Sequence, residues 1–230
     1  MGKPAKNNSL SRYERKFVVT REYKSSIYYL LSVHPSLFRE IYRQRKINNI
    51  YFDSIDYKFY RENVAGIANR KKVRLRWYGE MYGQIQATLE IKSKHGLTGT
   101  KQSFLLPSFN FTDQTNIMDI KKLLLQSTIP ELIRQELFTL EMTLLNRYER
   151  RYFLSFDKKF RVTVDDSLNY FRIDNNTNIS ESFMTVDPNT ILELKYDYQH
   201  DVDAHYISNQ FPFRVSRNSK YISGIEFIRL

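Results

Sequence analysis

The sequence contains no cysteine and has little glycine, proline or histidine. Its 230 residues include 7 Gly, 6 Pro and 4 His. Without cysteine there can be no disulfide bond, thiol nucleophile or Cys-ligated zinc site. The four histidines (His34, His95, His200 and His205) contain no pair at the spacing of a metal site, which argues against a His-rich metal centre.

Long apolar runs are also missing. No stretch approaches the roughly 18 apolar residues of a membrane-spanning helix, and the first residues, MGKPAKNNSL, lack the apolar region of a signal peptide. Hydrophobic residues nevertheless make up 41% of the chain, which is enough for a packed core. We therefore expect a cytoplasmic protein with a flexible tail over residues 1–10 and one domain over 11–230.

The charge is positive and unevenly distributed. The chain has 36 Lys and Arg against 25 Asp and Glu, a net charge of +11. Residues 1–106 contain 21 basic and 8 acidic side chains, whereas residues 107–230 contain 15 and 17. Such an asymmetry indicates an anionic partner. The competing interpretation is that the excess Lys and Arg only cover a solvated surface.

Alternating polar and apolar residues predict many strands. Strands are predicted over 11–19, 40–53, 70–78, 84–93, 100–106, 142–156, 160–168 and 190–197. Helices are predicted over 20–32, 56–64, 117–127, 130–139 and 201–210, and from about 218 onward. The short loop with Gly79 and Gly83 predicts a hairpin between the third and fourth strands. Without regular βαβ alternation, the pattern favours an α+β fold with a mostly antiparallel sheet.

At least five predicted strands carry charged side chains on one face and apolar side chains on the other, because successive strand residues point to opposite faces. The cations on these polar faces are Arg12, Lys16, Arg74, Arg76, Lys92, Arg150, Arg161 and Lys195, and the anions are Glu14, Glu90, Asp165 and Glu193. If the sheet curls into a closed barrel, these side chains converge in a lumen. The cations would then repel each other strongly without a polyanion. The alternative is an open sheet with one wet face, which is common, although the repeated Arg and Lys pairs argue against it.

Nine short motifs occur in a recognisable order. They are RYERKF (12–17), YFDS (51–54), KVRLRWYG (72–79), LEIKSK (89–94), a lysine at 101, NRYERRYF (146–153), RVTVDDSL (161–168), LELKY (192–196) and SKY (219–221). Together they resemble the VTC domain, the polyphosphate-polymerase domain of the triphosphate tunnel metalloenzyme superfamily, over residues 11 to 225. The resemblance implies an antiparallel β-barrel tunnel with helices packed on the outside. It also implies a divalent metal, Mn or Mg, and transfer of the γ-phosphate of ATP to a growing polyphosphate chain.

The resemblance further assigns roles to residues. The candidate catalytic cations are Lys16, Arg74, Arg76, Lys92, Arg150 and Arg161, and the candidate substrate-binding residues are Lys101, Tyr148, Lys195, Arg217, Ser219 and Lys220. Glu193 matches the metal-binding acid, and Glu14 and Glu90 are candidates for a base or a second metal ligand. These residue types suit phosphoryl transfer, in which the protein mainly positions phosphates and stabilises charge. One carboxylate can suffice for Mg²⁺ or Mn²⁺ when phosphates supply the other oxygens.

The first motif departs from that of related enzymes. Relatives resembling adenylate cyclase and thiamine triphosphatase begin with ExExK, whereas this sequence reads Arg12-x-Glu14-x-Lys16. Arginine in place of the first glutamate favours the polymerase branch over two-metal hydrolysis. The membrane helices and SPX domain of the fungal relatives are also missing. We therefore do not expect coupled translocation, and recruitment by a separate membrane protein stays open.

Other functions stay open as well. A tripolyphosphatase or nucleoside triphosphatase would use the same tunnel, and a non-catalytic polyphosphate-binding module would bind without turnover. The 17 Tyr and 16 Phe interleaved with Arg would suit a nucleic-acid binder. The alternation, however, puts many aromatics on apolar faces, away from the basic residues, so we do not expect a nucleic-acid partner. The sequence indicates no oligomeric state.

Overall fold

The computed structural model describes residues 12–96, 98–173 and 184–229, so the predicted tail over residues 1–10 lies outside the described residues. The strands are β1 (Arg12–Val19), β2 (Arg39–Asp53), β3 (Asn69–Tyr78), β4 (Gly83–Ile85), β5 (Thr88–His95), β6 (Thr98–Leu105), β7 (Phe109–Phe111), β8 (Glu141–Leu154), β9 (Arg161–Arg172), β10 (Met184–Asp187) and β11 (Thr190–Asp197). The helices are α1 (Lys24–Val33), α2 (Lys58–Val64), α3 (Ile117–Leu125), α4 (Glu131–Phe138), α5 (Asp201–Asn209) and α6 (Lys220–Arg229). Across the described ranges, none of the helices has both the length and the apolar character needed to cross a membrane.

The predicted strand over 84–93 is in fact two strands. β4 pairs with β7 in a separate two-stranded sheet, whereas β5 pairs with β3. The expected hairpin therefore forms between β3 and β5, with β4 in the connection. Gly79 and Gly83 have φ angles of 94° and 102°, which glycine adopts readily at a turn. β7 and β10 were not predicted, because three or four residues are too few to show a period.

Nine strands form one antiparallel sheet, which confirms the α+β prediction. The order is β1, β11, β9, β8, β2, β3, β5 and β6, and β10 pairs with the far end of β9. Between the two edge strands, β6 and β1, no strand pairing occurs in the described part of the chain. The sheet is curled but is not a hydrogen-bonded closed barrel, so the expectation of full closure is wrong.

The segment 215–219 lies between β1 and β3, on the side of the curled sheet that strand pairing does not close. On one side, Lys16 Nζ of β1 donates to the Asn218 carbonyl oxygen at 3.0 Å. On the other side, Lys72 Nζ of β3 donates to Ser219 Oγ at 2.8 Å. The segment also pairs with β1 through its backbone, since the Ser216 N–H donates to the Lys16 carbonyl oxygen at 2.8 Å. These contacts continue the wall where the main sheet ends.

Two apolar clusters cover the outer face of the sheet. One packs residues such as Leu75 and Leu89 against Ile120 of α3, and it includes α4. The other joins β1, β9 and β11 to α1 and α5, for example through Leu194 and Ile207. Removal of this apolar surface from water stabilises the fold. The prediction of helices on the outside is confirmed for α1, α3, α4 and α5.

α6 packs on the inner face of the sheet instead. The prediction that the helices pack on the outside is therefore wrong for α6. Tyr221 of α6 stacks on Tyr51 with ring centroids 5.0 Å apart. Ile225 lies in a buried cluster with Leu144 and Tyr170, which point inward from β8 and β9. Because this end of the inner face is apolar, it buries a helix rather than binding water.

Asp53, at the end of β2, fixes the start of α6. Its buried carboxylate accepts hydrogen bonds from the backbone N–H groups of Phe59 and Tyr60, both at 2.8 Å. It also accepts a hydrogen bond from the hydroxyl of Tyr221 at 2.5 Å. The raised pKa of the Tyr221 hydroxyl follows from burial and from the adjacent Asp53. This network holds the residue next to Lys220 in a fixed position.

The close approach of α6 to the sheet can be tested with Gly224→Ala. A Cβ at this position would lie 2.4 Å from Leu144 Cδ2 and 2.6 Å from Tyr170 Cδ1. Because overpacking of a core costs about 1–3 kcal/mol, we expect the free energy of unfolding in urea to fall by about 2 kcal/mol. The control is Gly99→Ala, whose Cβ would approach only the Ser93 carbonyl oxygen, at 3.9 Å. Equal stability of the two variants would contradict the packing described.

Candidate active site

The inward-facing polar side chains converge in the lumen of the curled sheet. The strand register places four inward-facing pairs of opposite charge across from each other: Glu14 and Lys195, Lys16 and Glu193, Arg150 and Asp165, and Arg74 and Glu90. Such pairs arise because each strand presents its polar side chains at i and i+2 on one face. The alternation therefore brings together most of the residues that it predicted for the site.

Asp165 is the most deeply buried charge of the lumen. Its carboxylate accepts two hydrogen bonds from Arg150, from Nε at 2.5 Å and from Nη2 at 2.6 Å. This two-point geometry is typical of a guanidinium bound to a carboxylate. Lys220 Nζ, from α6, lies 2.5 Å from the same carboxylate. Burial raises the pKa of Asp165, but the charges of Arg150 and Lys220 outweigh it, so the carboxyl stays ionised.

Glu193 collects four cations around one carboxylate. The ammonium of Lys195 lies at 2.8 Å, Lys16 at 3.5 Å, Arg150 at 3.7 Å and Lys220 at 3.9 Å. Burial favours the protonated acid, but these cations hold the pKa of Glu193 well below its ordinary value. We call Asp165, Glu193 and their four cations the first carboxylate cluster.

Glu90 is the centre of a second carboxylate cluster, on the opposite wall. Arg74 donates to it through Nε at 2.8 Å and Nη2 at 2.6 Å, and Lys101 donates at 2.6 Å. Arg76 lies 3.7 Å away. Burial alone would raise the pKa of Glu90, but the adjacent Arg74, Arg76 and Lys101 lower it far more. Glu90 thus orients three cations that face the lumen.

Tyr148 connects the two clusters. Its buried hydroxyl accepts a hydrogen bond from Arg76 Nη2 at 3.2 Å. Arg150 and Lys220 lie against its ring, 5.4 Å and 4.9 Å from the centroid. Burial raises the pKa of Tyr148, but the charges of Arg150 and Arg76 prevail and lower it. A more acidic hydroxyl is a stronger hydrogen-bond donor to an anion.

Lys92 differs from the other lumen cations because it forms no hydrogen bond or ion pair with any residue that the structure describes. Solvent reaches it inside the lumen, yet protein atoms and other cations surround its ammonium. Burial and the nearby charge of Arg74 lower its pKa to about 7. The protonated state of Lys92 is therefore less favourable than that of an ordinary lysine.

Lys72 lines the same wall as Arg74, but it was not predicted from the sequence as a site residue. It lies two residues before Arg74 on the same face of β3, so the alternation could have identified it. Burial and the nearby Lys16 lower its pKa to about 8. Its partner Ser219 was predicted as a substrate-binding residue, and the structure shows that the Ser219 hydroxyl accepts the lysine ammonium.

Two asparagines were also missed. Arg76 Nε donates to Asn49 Oδ1 at 2.9 Å, and Asn49 Nδ2 donates to Asn146 Oδ1 at 2.8 Å. The Nδ2 atom of Asn146 is buried and has no hydrogen-bond partner in the described ranges. The sequence did contain a signal for them, because each is an asparagine among the apolar residues of a predicted strand. Asn146 offers a donor for a bound anion or a water.

Two predicted residues stand apart from the carboxylate clusters. Arg161 lies opposite Lys195 at the end of β9 and is exposed. Arg217 is also exposed and makes no ion pair within the described part of the chain. Arg12 begins β1, but its side chain lies outside what the structure describes.

Two carboxylates fit a shared metal ion. Lys16 Nζ lies 3.2 Å from Glu14 and 3.5 Å from Glu193, so both acids already converge on one cation. The described residues contain no group of three or more His, Asp or Glu side chains arranged to hold a metal. Glu14 and Glu193 could therefore hold a divalent ion only if substrate oxygens completed its coordination, as is usual for Mg²⁺.

The lumen as a whole carries excess positive charge. Nine cations (Lys16, Lys72, Arg74, Arg76, Lys92, Lys101, Arg150, Lys195 and Lys220) face four carboxylates (Glu14, Glu90, Asp165 and Glu193). Arg and Lys are the side chains that bind phosphate oxygens, by forked contacts and by point charges. The arrangement suits a polyanion with several phosphates in a row.

The family model of the VTC domain matches residues 11–229. No curated protein matches significantly. A Hippeastrum protein, described as an adenylyl cyclase with dominant triphosphatase activity, has 14% identity and a TM-score of 0.52, over 93% of this chain and 94% of its own. A Pyrococcus horikoshii protein has 11% identity and a TM-score of 0.51, over 94% of this chain and 98% of its own.

Identities this low show a shared fold alone, whereas the family match concerns the sequence itself. The match spans all the strands whose polar faces form the lumen. Since the match covers nearly the whole chain, the protein belongs to the VTC domain family, and its curled sheet has the tunnel fold.

Proposed function

We propose that this protein is an ATP-dependent polyphosphate polymerase that transfers the γ-phosphate of ATP to a growing chain within the lumen. The observation that carries the proposal is the pairing of the buried carboxylates with cations. Glu90, Asp165 and Glu193 are each held ionised by Arg or Lys, and their pKa values are lowered. Such a lumen attracts phosphate chains and offers water only a weak base.

The two clusters would bind consecutive phosphates from opposite walls. Arg74 and Arg76 are oriented by Glu90 on one wall, and Arg150 is oriented by Asp165 on the other. Oriented guanidinium groups lose little entropy when they bind phosphate oxygens. Lys92 and Lys72 have no carboxylate partner in the described residues, so their charge is available to the bound chain.

In the proposed step, a terminal phosphate oxygen of the chain forms a bond to the γ-phosphorus of ATP. The bond from that phosphorus to the β–γ bridging oxygen breaks, and ADP leaves with the electron pair. Lumen cations stabilise the charge that develops on the leaving oxygen. A divalent metal, Mn²⁺ or Mg²⁺, held by Glu193 and Glu14, would supply further positive charge at the phosphates. The acceptor oxygen is already ionised, so no base is required.

Hydrolysis of a triphosphate is the second candidate, and the position of Glu14 favours it. Glu14 is half-exposed and has a single ion pair, to Lys16, among the described residues. It is thus the lumen carboxylate most accessible to water. However, although burial raises the pKa of Glu14, the nearby cations Lys16, Lys195 and Lys92 together lower it, which weakens Glu14 as a base.

Synthesis can be tested directly with purified protein, ATP and Mn²⁺. We expect polyphosphate chains on a gel, and we expect Lys92→Met to lower the initial rate by about 100-fold, since loss of one charge-stabilising group costs about 10²–10³. Lys92 has no partner among the described residues, so its removal breaks no hydrogen bond there. Lys122→Met, on the outer helix α3, removes the same charge as a control and should leave the rate unchanged.

Two outcomes would contradict the polymerase proposal. Release of orthophosphate without any polymer, abolished by Glu14→Gln, would select hydrolysis. Tight polyphosphate binding with neither synthesis nor hydrolysis would select a binding module.

The lowered pKa values of the lumen lysines predict proton uptake on binding. With pKa values of about 7 and about 8, Lys92 and Lys72 are partly neutral in the free protein at pH 8. A bound polyanion stabilises the protonated amines, so tripolyphosphate should bind with net uptake of protons, and its affinity should fall as pH rises from 6 to 9. Calorimetry in buffers of different ionisation enthalpy measures this uptake.

Lys92→Met provides the control for the proton measurement. The titration of tripolyphosphate itself is common to both proteins and cancels in their difference. We expect the variant to take up fewer protons at pH 8 than the wild type. Equal uptake by the two proteins would show that Lys92 is already charged in the free lumen.

A further inference from the structure

A second cationic surface lies outside the two carboxylate clusters, at the mouth of the lumen. A groove there is lined by four cations, Lys158, Lys159, Arg161 and Lys195, and by the carboxylate of Asp197. Lys158 and Lys159 belong to the turn that joins β8 to β9, and neither takes part in the lumen clusters. We call this surface the mouth groove.

The turn that presents the two lysines is held by its own hydrogen bonds. Ser155 Oγ donates to Asp157 Oδ1 at 2.5 Å, and the Lys159 N–H donates to the same oxygen at 3.1 Å. The Phe160 N–H donates to Ser155 Oγ at 3.0 Å. Lys158 adopts the left-handed conformation, with φ of 61°. A turn fixed in this way presents two adjacent charges at a defined place.

Three of the four groove cations have no direct ion pair in the described residues. Lys158, Lys159 and Arg161 form no side-chain hydrogen bond or ion pair with the residues that the structure describes. Exposed lysines elsewhere in the fold do find partners, as Lys46 does with Glu80 at 2.8 Å. Unpaired cations around a concave surface concentrate anions from solution.

Lys195 makes the mouth groove continuous with the lumen. Its ammonium lies 2.8 Å from Glu193, in the first carboxylate cluster, and it faces Arg161 across the β9–β11 pair. The opposite ends of β8 and β9 are covered by α6, through Leu144 and Tyr170. A phosphate chain too long for the lumen would therefore meet the groove cations on its way out.

We propose that the mouth groove binds the phosphates of a polyphosphate chain that extend beyond the lumen. The proposal rests on the proposed function, because it takes a phosphate chain as the lumen ligand. Surfaces that bind single-stranded nucleic acid usually add exposed aromatic rings for base stacking. The ring that lines this groove, Tyr196, is buried, and its hydroxyl donates to Asp201 at 2.6 Å. Phe156, in the same turn, is exposed but is not among the residues that line the groove. The lining itself therefore offers cations without an exposed ring, which favours a chain of phosphates, and single-stranded RNA is included in the test.

The test is a double substitution that removes the two turn charges, Lys158→Asn with Lys159→Gln. Asparagine is chosen at 158 because it tolerates the left-handed conformation. The control is Lys121→Gln with Lys122→Gln, an adjacent lysine pair on α3. Binding of tripolyphosphate and of long-chain polyphosphate is measured without ATP, over a range of salt concentrations.

We expect the groove variant to bind long-chain polyphosphate roughly tenfold more weakly, while its affinity for tripolyphosphate is unchanged. The slope of log affinity against log salt should fall by about 1.4 for the long chain, because each contact with a single-stranded polyanion releases about 0.7 counterion. The control variant should match the wild type with both ligands.

Three results would overturn the proposal. They are unchanged affinity for the long chain, an equal loss with both ligands, or a larger loss for single-stranded RNA than for polyphosphate. Polymer synthesis is assayed separately. Failure of synthesis together with a length-dependent loss of binding would reject the polymerase and keep the groove, whereas normal synthesis with unchanged binding would reject the groove alone.

Discussion

The buried ion pair between Arg150 and Asp165 is the interaction on which the lumen depends. Asp165 has no exposed surface, so its charge is tolerable only because a guanidinium and the ammonium of Lys220 contact it directly. Lys220 belongs to α6, so the same carboxylate joins the last helix to the middle of the sheet. Without Asp165 and Glu193, the four cations would be packed together with only Glu14, beside Lys16, to offset their repulsion.

The lumen cations therefore fall into two groups with different effects. Those paired with carboxylates, such as Arg74 and Arg150, have fixed positions and stay charged whether or not a ligand is present. Lys92 and Lys72 have no such partner in the described residues, and their pKa values are lowered first by burial and then by repulsion from neighbouring cations. A bound polyanion relieves that repulsion, and the free energy gained in this way contributes to binding.

The sequence predicts the walls of this site better than its ends. Alternation with a period of two is a local property, so it correctly placed residues such as Arg74, Glu90 and Glu193 on inward faces. The position of α6 depends instead on which sheet face is apolar at Leu144 and Tyr170, and that is fixed only when β8 and β9 are paired. The break before β5 also left no signal, because alternation continues across it.

The ion pairs that hold the lumen together also bear on which acceptor it favours. A general base must take a proton from water, and its strength falls as its pKa falls. Cations around Glu90 and Glu193 keep these carboxylates ionised but make them poor proton acceptors at neutral pH. A terminal phosphate of a chain brings an ionised oxygen of its own and is drawn in by the same cations. In the proposed reaction, this charge arrangement would therefore favour a phosphate over water as the acceptor.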